Sequence, residues 1–144
     1  AMYAKILLAY DGSHDGRKAL DQAADLARLA GAEVVLLAVI DVGIDVAVAE
    51  GVSIGSAVES QLAQMQQMLA EGAARLAALG IRATTRVETG QAGERIVATA
   101  REIAADLIVL GHRQHSLWSR WMKEPVGPFL LQDPPCNLLI CVER

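Results

Sequence analysis

The residues best suited to covalent chemistry are an aspartate, a serine and a histidine on two polar segments. Asp11 and Ser13 follow an apolar run over residues 5–10, and His115 lies far downstream. These are the residue types of a Ser/His/Asp nucleophile set, in which the histidine activates the serine hydroxyl. The sequence contains no G-x-S-x-G turn that would expose such a serine. We therefore predict that the chain has no catalytic residues.

Three histidines are the best candidates for metal ligands. His112 and His115 are three residues apart, and His14 follows a different strand-like run. A metal site would need a further ligand and supporting carboxylates, for which Asp11 or Glu124 could be proposed. This spacing is typical of no known metal site, so we predict polar loop histidines and no metal.

Both tryptophans of the chain lie on one segment that also carries several cations. Trp118 and Trp121 are flanked by Arg113, Arg120 and Lys123. Aromatic anchors beside arginine are typical of protein–protein hot spots, so the segment could bind a partner or take part in a dimer. Alternatively, the tryptophans could fold down onto their own subunit. Stacking on nucleic acid is disfavoured because the net charge is −4.

The elements that must position these residues alternate between strand and helix. The apolar or alternating pattern of strands occurs over residues 5–10, 34–40, 82–88, 106–110 and 137–142. The period of amphipathic helices occurs over about 15–30, 56–79 and 92–105, with Gly31 and Gly80 as stops. A short helix over 126–132 would begin after Pro125. Residues 41–55 lack a clean period and are interpreted as a mobile connection.

This alternation implies right-handed crossovers and a parallel sheet with helices on both faces. We predict an α/β fold with a five-stranded parallel sheet, in a single domain over residues 1–144. The half-exposed strand over 82–88 would lie at a sheet edge. In such a sheet, ligands bind outside the carboxyl ends of the strands where the strand order reverses. The informative strand ends are those before Asp11, at Val39 and at Gly111.

The composition limits the class of protein further. A chain of 144 residues with 53% apolar residues has enough apolar surface for one stable core. No apolar run approaches the roughly 18 residues that would suggest a membrane span, and the start of the chain lacks the features of a signal peptide. Cys136 and Cys141 are an odd number of residues apart, which puts them on opposite faces of a strand. We therefore predict reduced thiols and a cytoplasmic protein.

The chain resembles the universal stress protein family over nearly its whole length. The first matching segment is Ile6–Ser13 (ILLAYDGS), followed by a helix with Ala19 and Leu20. The second is Ala105–Gly111 (ADLIVLG), followed after a loop by Pro134–Ile140 (PPCNLLI). The resemblance implies the five-stranded α/β fold of the adenine-nucleotide α-hydrolase-like type. It also implies a homodimer, often formed through the last strands.

The resemblance divides the family by a phosphate-loop signature. Some members bind ATP through G-x2-G-x9-G-[S/T] after the fourth strand, and others lack this signature. Gly111 matches its first glycine, whereas Gln114, Glu124 and Pro125 occupy the other three positions. Glycines let backbone N–H groups approach the phosphate, and proline removes such a donor. Glu124 would place a carboxylate where the anionic phosphate binds. Two like charges 4 Å apart repel by about 1 kcal/mol in water and about 4 kcal/mol at an effective dielectric of 20.

The nucleoside half of the family's pocket is retained by resemblance. Asp11 matches the carboxylate that contacts ribose or adenine, and Val39 matches the position whose backbone recognises adenine. With Gly111, Arg113 and Gly127, these residues form the candidate nucleotide pocket. Asp11 could equally act with Ser13 as a turn and cap of the first helix.

The resemblance therefore predicts a non-catalytic stress-response or signalling homodimer that lacks standard ATP binding and needs no cofactor. The dimer would form through the C-terminal strand, with Leu138, Ile140 and Val142, and a protein partner could bind at Trp118 and Trp121. One alternative is a switch that binds an adenine nucleotide (AMP, ADP or ATP) through the altered loop. A weaker alternative is a slow ATPase. No membrane or nucleic-acid partner is predicted.

Overall fold

A computed structural model describes residues 3–10, 14–40, 54–112 and 133–142. Within them, five strands form one parallel sheet in the order β3-β2-β1-β4-β5. The strands are β1 (Lys5–Ala9), β2 (Glu33–Ile40), β3 (Ala83–Thr89), β4 (Leu107–His112) and β5 (Asn137–Val142). The helices are α1 (His14–Ala30), α2 (Ile54–Ala78) and α3 (Ala92–Ile103). The predicted α/β class and five-stranded parallel sheet are confirmed.

The sheet has a separate core on each face, because successive strand residues point to opposite sides. One core joins Ile6, Leu8 and Leu36 to apolar residues of α1 and α2. The other joins Leu7, Leu37 and further residues of the central strands to α3. Helices therefore cover both faces, as predicted. Alanines of α1 are buried against the sheet, which suits a chain with only 3% aromatic residues.

The ends of the helices show where the predicted boundaries were right and where they were wrong. Gly31 and Gly80 have φ angles of 69° and 78° and end α1 and α2, as predicted. The predicted third helix ran to residue 105, but Ala104 has a φ angle of 55° and the helix ends at Ile103. The N–H of Ala105 donates to the carbonyl of Ala100 over 2.9 Å, which closes the helix end as at the two glycines.

Two predicted connections are shorter than expected. The predicted end of the connection over residues 41–55 was wrong, because α2 begins at Ile54. Isoleucine and glycine at the first two positions of the helix gave no clean helical period in the sequence. Strand β4 runs through Gly111 to His112, because both residues pair with β5, as His112 does with Val142. The prediction of a helix over residues 126–132 lies outside the described residues. None of the described helices is long and apolar enough to cross a membrane.

The two cysteines lie on opposite faces of the sheet, as predicted, and both are free thiols. Cys141 belongs to the core under α1 and α2, whereas Cys136 packs against the core under α3. Burial, together with the negative charge of Asp106, raises the pKa of the Cys136 thiol to about 11. Burial also raises the pKa of Cys141. Both thiols are therefore protonated and unreactive at neutral pH.

Asp106 joins the start of β1 to the start of β4. Its Oδ2 accepts hydrogen bonds from the N–H groups of Ala4 and Lys5 over 2.8 and 2.9 Å. Its own N–H donates to the carbonyl of Lys5 over 2.9 Å. The bonds from Ala4 and Lys5 lower the pKa of the Asp106 carboxyl, because they favour its charged form. One side chain therefore ties the start of β1 to the start of β4.

We expect Asp106→Asn to lower the free energy of unfolding at pH 7, because a neutral amide oxygen accepts these hydrogen bonds less strongly. The folded-state pKa of Asp106 is lowered, so the stability it adds is present above the unfolded pKa of about 3.9. That stability is lost as the pH falls through the folded pKa.

Urea midpoints at pH 7 and pH 3 should therefore show a larger difference between wild type and variant at pH 7 than at pH 3. Asp25→Asn is the control, because Asp25 is an exposed carboxylate on α1. An equal difference at both pH values would contradict the role assigned to the charge of Asp106.

Candidate functional site

The strand order reverses between β1 and β4. The chain passes from β1 outward to β2 and β3, and then crosses to β4 and β5 on the other side of β1. The two connections leave the sheet in opposite directions, so a crevice opens outside the carboxyl ends of β1 and β4. This is the place where the sequence predicts a ligand site.

The strand β1 is recessed between its two neighbours at this end of the sheet. Ala9, its last residue, pairs with Leu37, and Leu8 pairs with Val109. β2 continues beyond that level to Ile40, and β4 continues to His112. Three further residues of β2 extend about 10 Å at the usual rise of a strand. The crevice therefore has a floor at the end of β1 and walls formed by β2 and β4.

The backbone of Val39 is directed into this crevice. The carbonyl of Leu37 accepts a hydrogen bond from the N–H of Tyr10 over 2.8 Å, so the backbone groups of Leu37 point toward β1. The carbonyl of Ile40 accepts the N–H of Gly90 over 3.0 Å and faces β3. Because alternate residues of a strand face the same side, the N–H and carbonyl of Val39 point toward the β1 side, beyond the end of β1. The side chain of Val39 is buried in the core under α3.

Gly111 lies on the opposite wall. It pairs with Cys141 of β5 and follows Leu110, which is fully buried. Gly111 brings no side chain to this side of the crevice. Val39 therefore directs backbone groups toward the end of β1 from one side, and Gly111 lies on the other side.

Tyr10 forms the floor next to Asp11. Its ring packs so closely against α2 that a Cβ at Gly72 would lie 3.1 Å from Tyr10 Cε2 and 3.1 Å from Leu36 Cδ1. Gly72 therefore lets α2 approach the carboxyl end of the sheet. Gly72 could not be singled out from the sequence. Its only signal there is a glycine on the apolar side of a long helical period.

Of the predicted pocket residues, the structure brings Val39 and Gly111 to the two sides of one crevice. Asp11, Arg113 and Gly127 lie outside the described residues. The same is true of the altered signature positions Gln114, Glu124 and Pro125, and of Trp118 and Trp121. The roles assigned to these residues remain predictions from the sequence.

Other candidate sites in the described part of the chain are less suitable. A cavity of about 650 Å³ lies at the amino end of the sheet, between Gly31 and Gly80. The helices α1 and α2 end there, so their dipoles disfavour an anion. A smaller groove of about 300 Å³ between α1 and α2 is lined by Tyr10, Arg17 and Arg75. Among the described residues, no group of three or more His, Cys, Asp or Glu could hold a metal ion.

An open parallel sheet with its order reversed at a recessed strand is the architecture of nucleotide-binding α/β proteins. A profile of the universal stress protein family matches residues 2–141. The chain is 30% identical over 142 residues to the universal stress protein Sll1654 of Synechocystis, covering 96% of this chain and 85% of the relative. The chain therefore belongs to the universal stress protein family, as the resemblance predicted.

Solved structures agree with this fold. A protein of the universal stress protein family from Burkholderia pseudomallei is 28% identical and superposes with a TM-score of 0.75, covering 97% of this chain and 96% of the other. A universal stress protein from Archaeoglobus fulgidus in complex with dAMP is 19% identical with a TM-score of 0.69, covering 97% and 98%. At that identity, the second likeness shows the fold alone.

We expect Gly72→Val to lower the free energy of unfolding by about 1–3 kcal/mol, because the added atoms overpack the contact with Tyr10 and Leu36. Ala74→Val is the control, because Ala74 is an exposed position of the same helix and receives the same β-branched side chain. Thermal or urea unfolding of the three proteins would measure the difference. The close packing of α2 would be refuted if the two variants were equally stable.

Proposed function

We propose that this protein is a non-catalytic signalling module of the stress response that does not bind ATP in the standard way. The observation that carries this proposal is the phosphate-loop signature after β4, of which only Gly111 remains. Gln114, Glu124 and Pro125 replace two glycines and a hydroxyl residue of the ATP-binding members. Membership of the family supports the stress-related role.

The three substitutions act on the same part of a bound nucleotide. Each added side chain keeps backbone N–H groups from approaching the anion, and Pro125 has no N–H to donate. Glu124 would bring a carboxylate toward phosphates that are already negative. Losses of several kcal/mol correspond to factors of hundreds in affinity. The penalty is greatest for a triphosphate and smallest for a ligand without β- and γ-phosphates.

The second candidate function is a switch that binds AMP or a related monophosphate. The direction of the Val39 backbone and the position of Gly111 on the other side of the crevice favour it, because they support the nucleoside half of the pocket. The complex of an Archaeoglobus relative with dAMP gives it further support. No observation on the described residues favours a slow ATPase.

Calorimetry on the purified protein tests both candidates. We expect no measurable heat with ATP at millimolar concentration, and AMP binding that is stronger than ATP binding if the switch exists. Restoring the signature with Gln114→Gly, Glu124→Gly and Pro125→Ser should raise the ATP affinity about a hundredfold or more. AMP affinity is the internal control, because the restored positions act mainly beyond the α-phosphate.

The nucleotide content of the purified protein then distinguishes the leading proposal from the nucleotide-binding switch. The purified protein is denatured and the supernatant is chromatographed. A stoichiometric adenine nucleotide in the wild type would overturn the leading proposal and favour the switch. A triple variant that folds but gains no ATP affinity would contradict the role assigned to the loop.

Assembly is also part of the proposal. β5 lies at one edge of the sheet, and Leu138, Leu139 and Ile140 remain partly exposed in the single chain. An apolar edge strand of this kind supports a homodimer through β5. A protein partner at Trp118 and Trp121 and a cytoplasmic location stay predictions of the sequence.

If β5 forms the dimer, Ile140→Lys should give monomers, because it places a charge in an apolar contact. Sedimentation velocity measures the change, and a thermal melt checks that the variant folds. Leu29→Lys is the control, because Leu29 is an apolar residue that is 87% exposed on α1 and is not part of β5. A folded Ile140→Lys variant that still sediments as a dimer would rule out this interface.

A further inference from the structure

The other edge of the sheet is formed by β3, whose only neighbour among the described residues is β2. It is a strand of 7 residues without proline. The carbonyl of Arg82 accepts the N–H of Val34 over 2.9 Å, and the N–H of Gly90 donates to Ile40. The N–H and carbonyl groups of the even-numbered residues of this strand therefore point toward β2. Those of the odd-numbered residues point outward, away from β2. The outward residues are Ala83, Thr85, Val87 and Thr89.

The sequence of this edge is self-complementary about Val87. The five residues Thr85–Thr89 read Thr-Arg-Val-Glu-Thr. In an antiparallel pair centred on Val87, threonine lies opposite threonine and valine opposite valine. Arg86 of each copy lies opposite Glu88 of the other. Every position therefore meets a residue that an antiparallel cross-strand pair favours.

We propose that β3 pairs in an antiparallel manner with β3 of a second copy of this chain, with the two-fold axis at Val87. Val87 exchanges its N–H and carbonyl bonds with Val87 of the second copy, and Thr85 does so with Thr89. The occupant of this edge is thus the same strand, and the contact is isologous.

The charges select this register over its neighbours. Moving the axis to Arg86 would place the two Arg86 side chains opposite each other, and moving it to Glu88 would oppose two carboxylates. Like charges directly opposite each other are destabilising. With the axis at Val87, Arg86 and Glu88 form a non-hydrogen-bonded pair, in which side chains lie closest.

Arg86 is already held in a position to make this contact. It binds Glu88 over 2.9 Å and Glu102 of α3 over 2.6 Å, with 28% of its side chain exposed. In the paired state each Arg86 would lie between Glu102 of its own chain and Glu88 of the second copy. The guanidinium has enough donors for both carboxylates.

The helix that packs on this edge carries small side chains on its flank away from α1. α2 packs on β2 and β3, and its Arg75 binds Asp21 of α1 over 2.9 Å. Ala70 and Ala77 lie roughly 150° around the helix from Arg75, at 100° per residue, and so face the β3 side. Both are exposed alanines. Ala70 and Ala77 keep part of this flank short, and the exposed Gln66 lies on the same flank, nine residues from Arg75.

Charge reversal tests the proposal. Arg86→Glu would oppose two glutamates, and Glu88→Arg would oppose two arginines, so each variant alone should lose self-association by a factor of ten or more in Kd. An equimolar mixture of the two variants restores both opposite-charge pairs. We expect the mixture to recover association, measured by sedimentation velocity and by energy transfer between differently labelled variants. Arg82→Glu is the control, because it carries the same charge change outside the paired segment.

A backbone variant makes the test independent of the ion pairs. Thr85→Pro removes an outward N–H and leaves the ladder to β2 intact, so it should also lower association. All proteins are compared in the wild-type and Ile140→Lys backgrounds, which separates this contact from one through β5. Thermal melts show which variants are folded. The proposal fails if folded Thr85→Pro associates like the wild type, or if the mixture stays as dissociated as its components.

Discussion

The parallel pairing of β1 with β4 is the contact on which the rest of the structure depends. It joins the two halves of the sheet, and it contributes Leu7, Leu8, Ile108 and Val109 to the two cores, all fully buried. Asp106 joins the starts of these strands at the amino end, and the ladder continues in one register to Leu8 and Val109. The recess at the end of β1 is a consequence of that register, because β2 and β4 are the longer strands. The crevice is therefore positioned by residues that do not line it.

Much of the fold could be predicted because continuous apolar runs identify the buried strands. Residues 34–40 and 137–142 have this pattern, and their bounds were right within one residue. The edge position of β3 followed from its alternation. Helix ends that are set by tertiary contacts were harder to predict from the sequence. At Ala104, an alanine adopts the backbone conformation that glycine usually takes. The strand order β3-β2-β1-β4-β5 was not predicted, because no residue pattern in the sequence encodes it.

Side chains that act over long sequence separations could not be predicted. Asp106 binds residues 102 and 101 positions earlier in the chain, and nothing local marks it as an anchor. Gly72 has a role only because Tyr10 and Leu36 lie beneath it. Val39 was assigned by resemblance, and its orientation could be derived only from the hydrogen bonds of Leu37 and Ile40. The part of the pocket contributed by Asp11, Arg113 and Gly127 still rests on the sequence.

The two halves of the pocket differ in how they depend on residue type. Val39 presents backbone groups, which any residue at that position of β2 would direct toward the crevice. A phosphate loop instead needs glycines, because side chains there obstruct the approach of the anion. Substitution can therefore remove phosphate binding while the fold retains the nucleoside half. This asymmetry explains why a chain with the intact sheet of its family has a signature reduced to Gly111.

The two sheet edges follow different physical rules. β5 carries Leu138, Leu139 and Ile140, so a contact there would gain from apolar burial, which tolerates small changes in register. β3 carries threonines and a charged pair, so a contact there would gain less from burial and more from matched partners. Charges opposite the wrong residue repel, and register on the β3 edge is therefore specified by Arg86 and Glu88. An edge strand can pair with many segments, and in the proposed contact the same two charges would favour pairing of β3 with its own sequence.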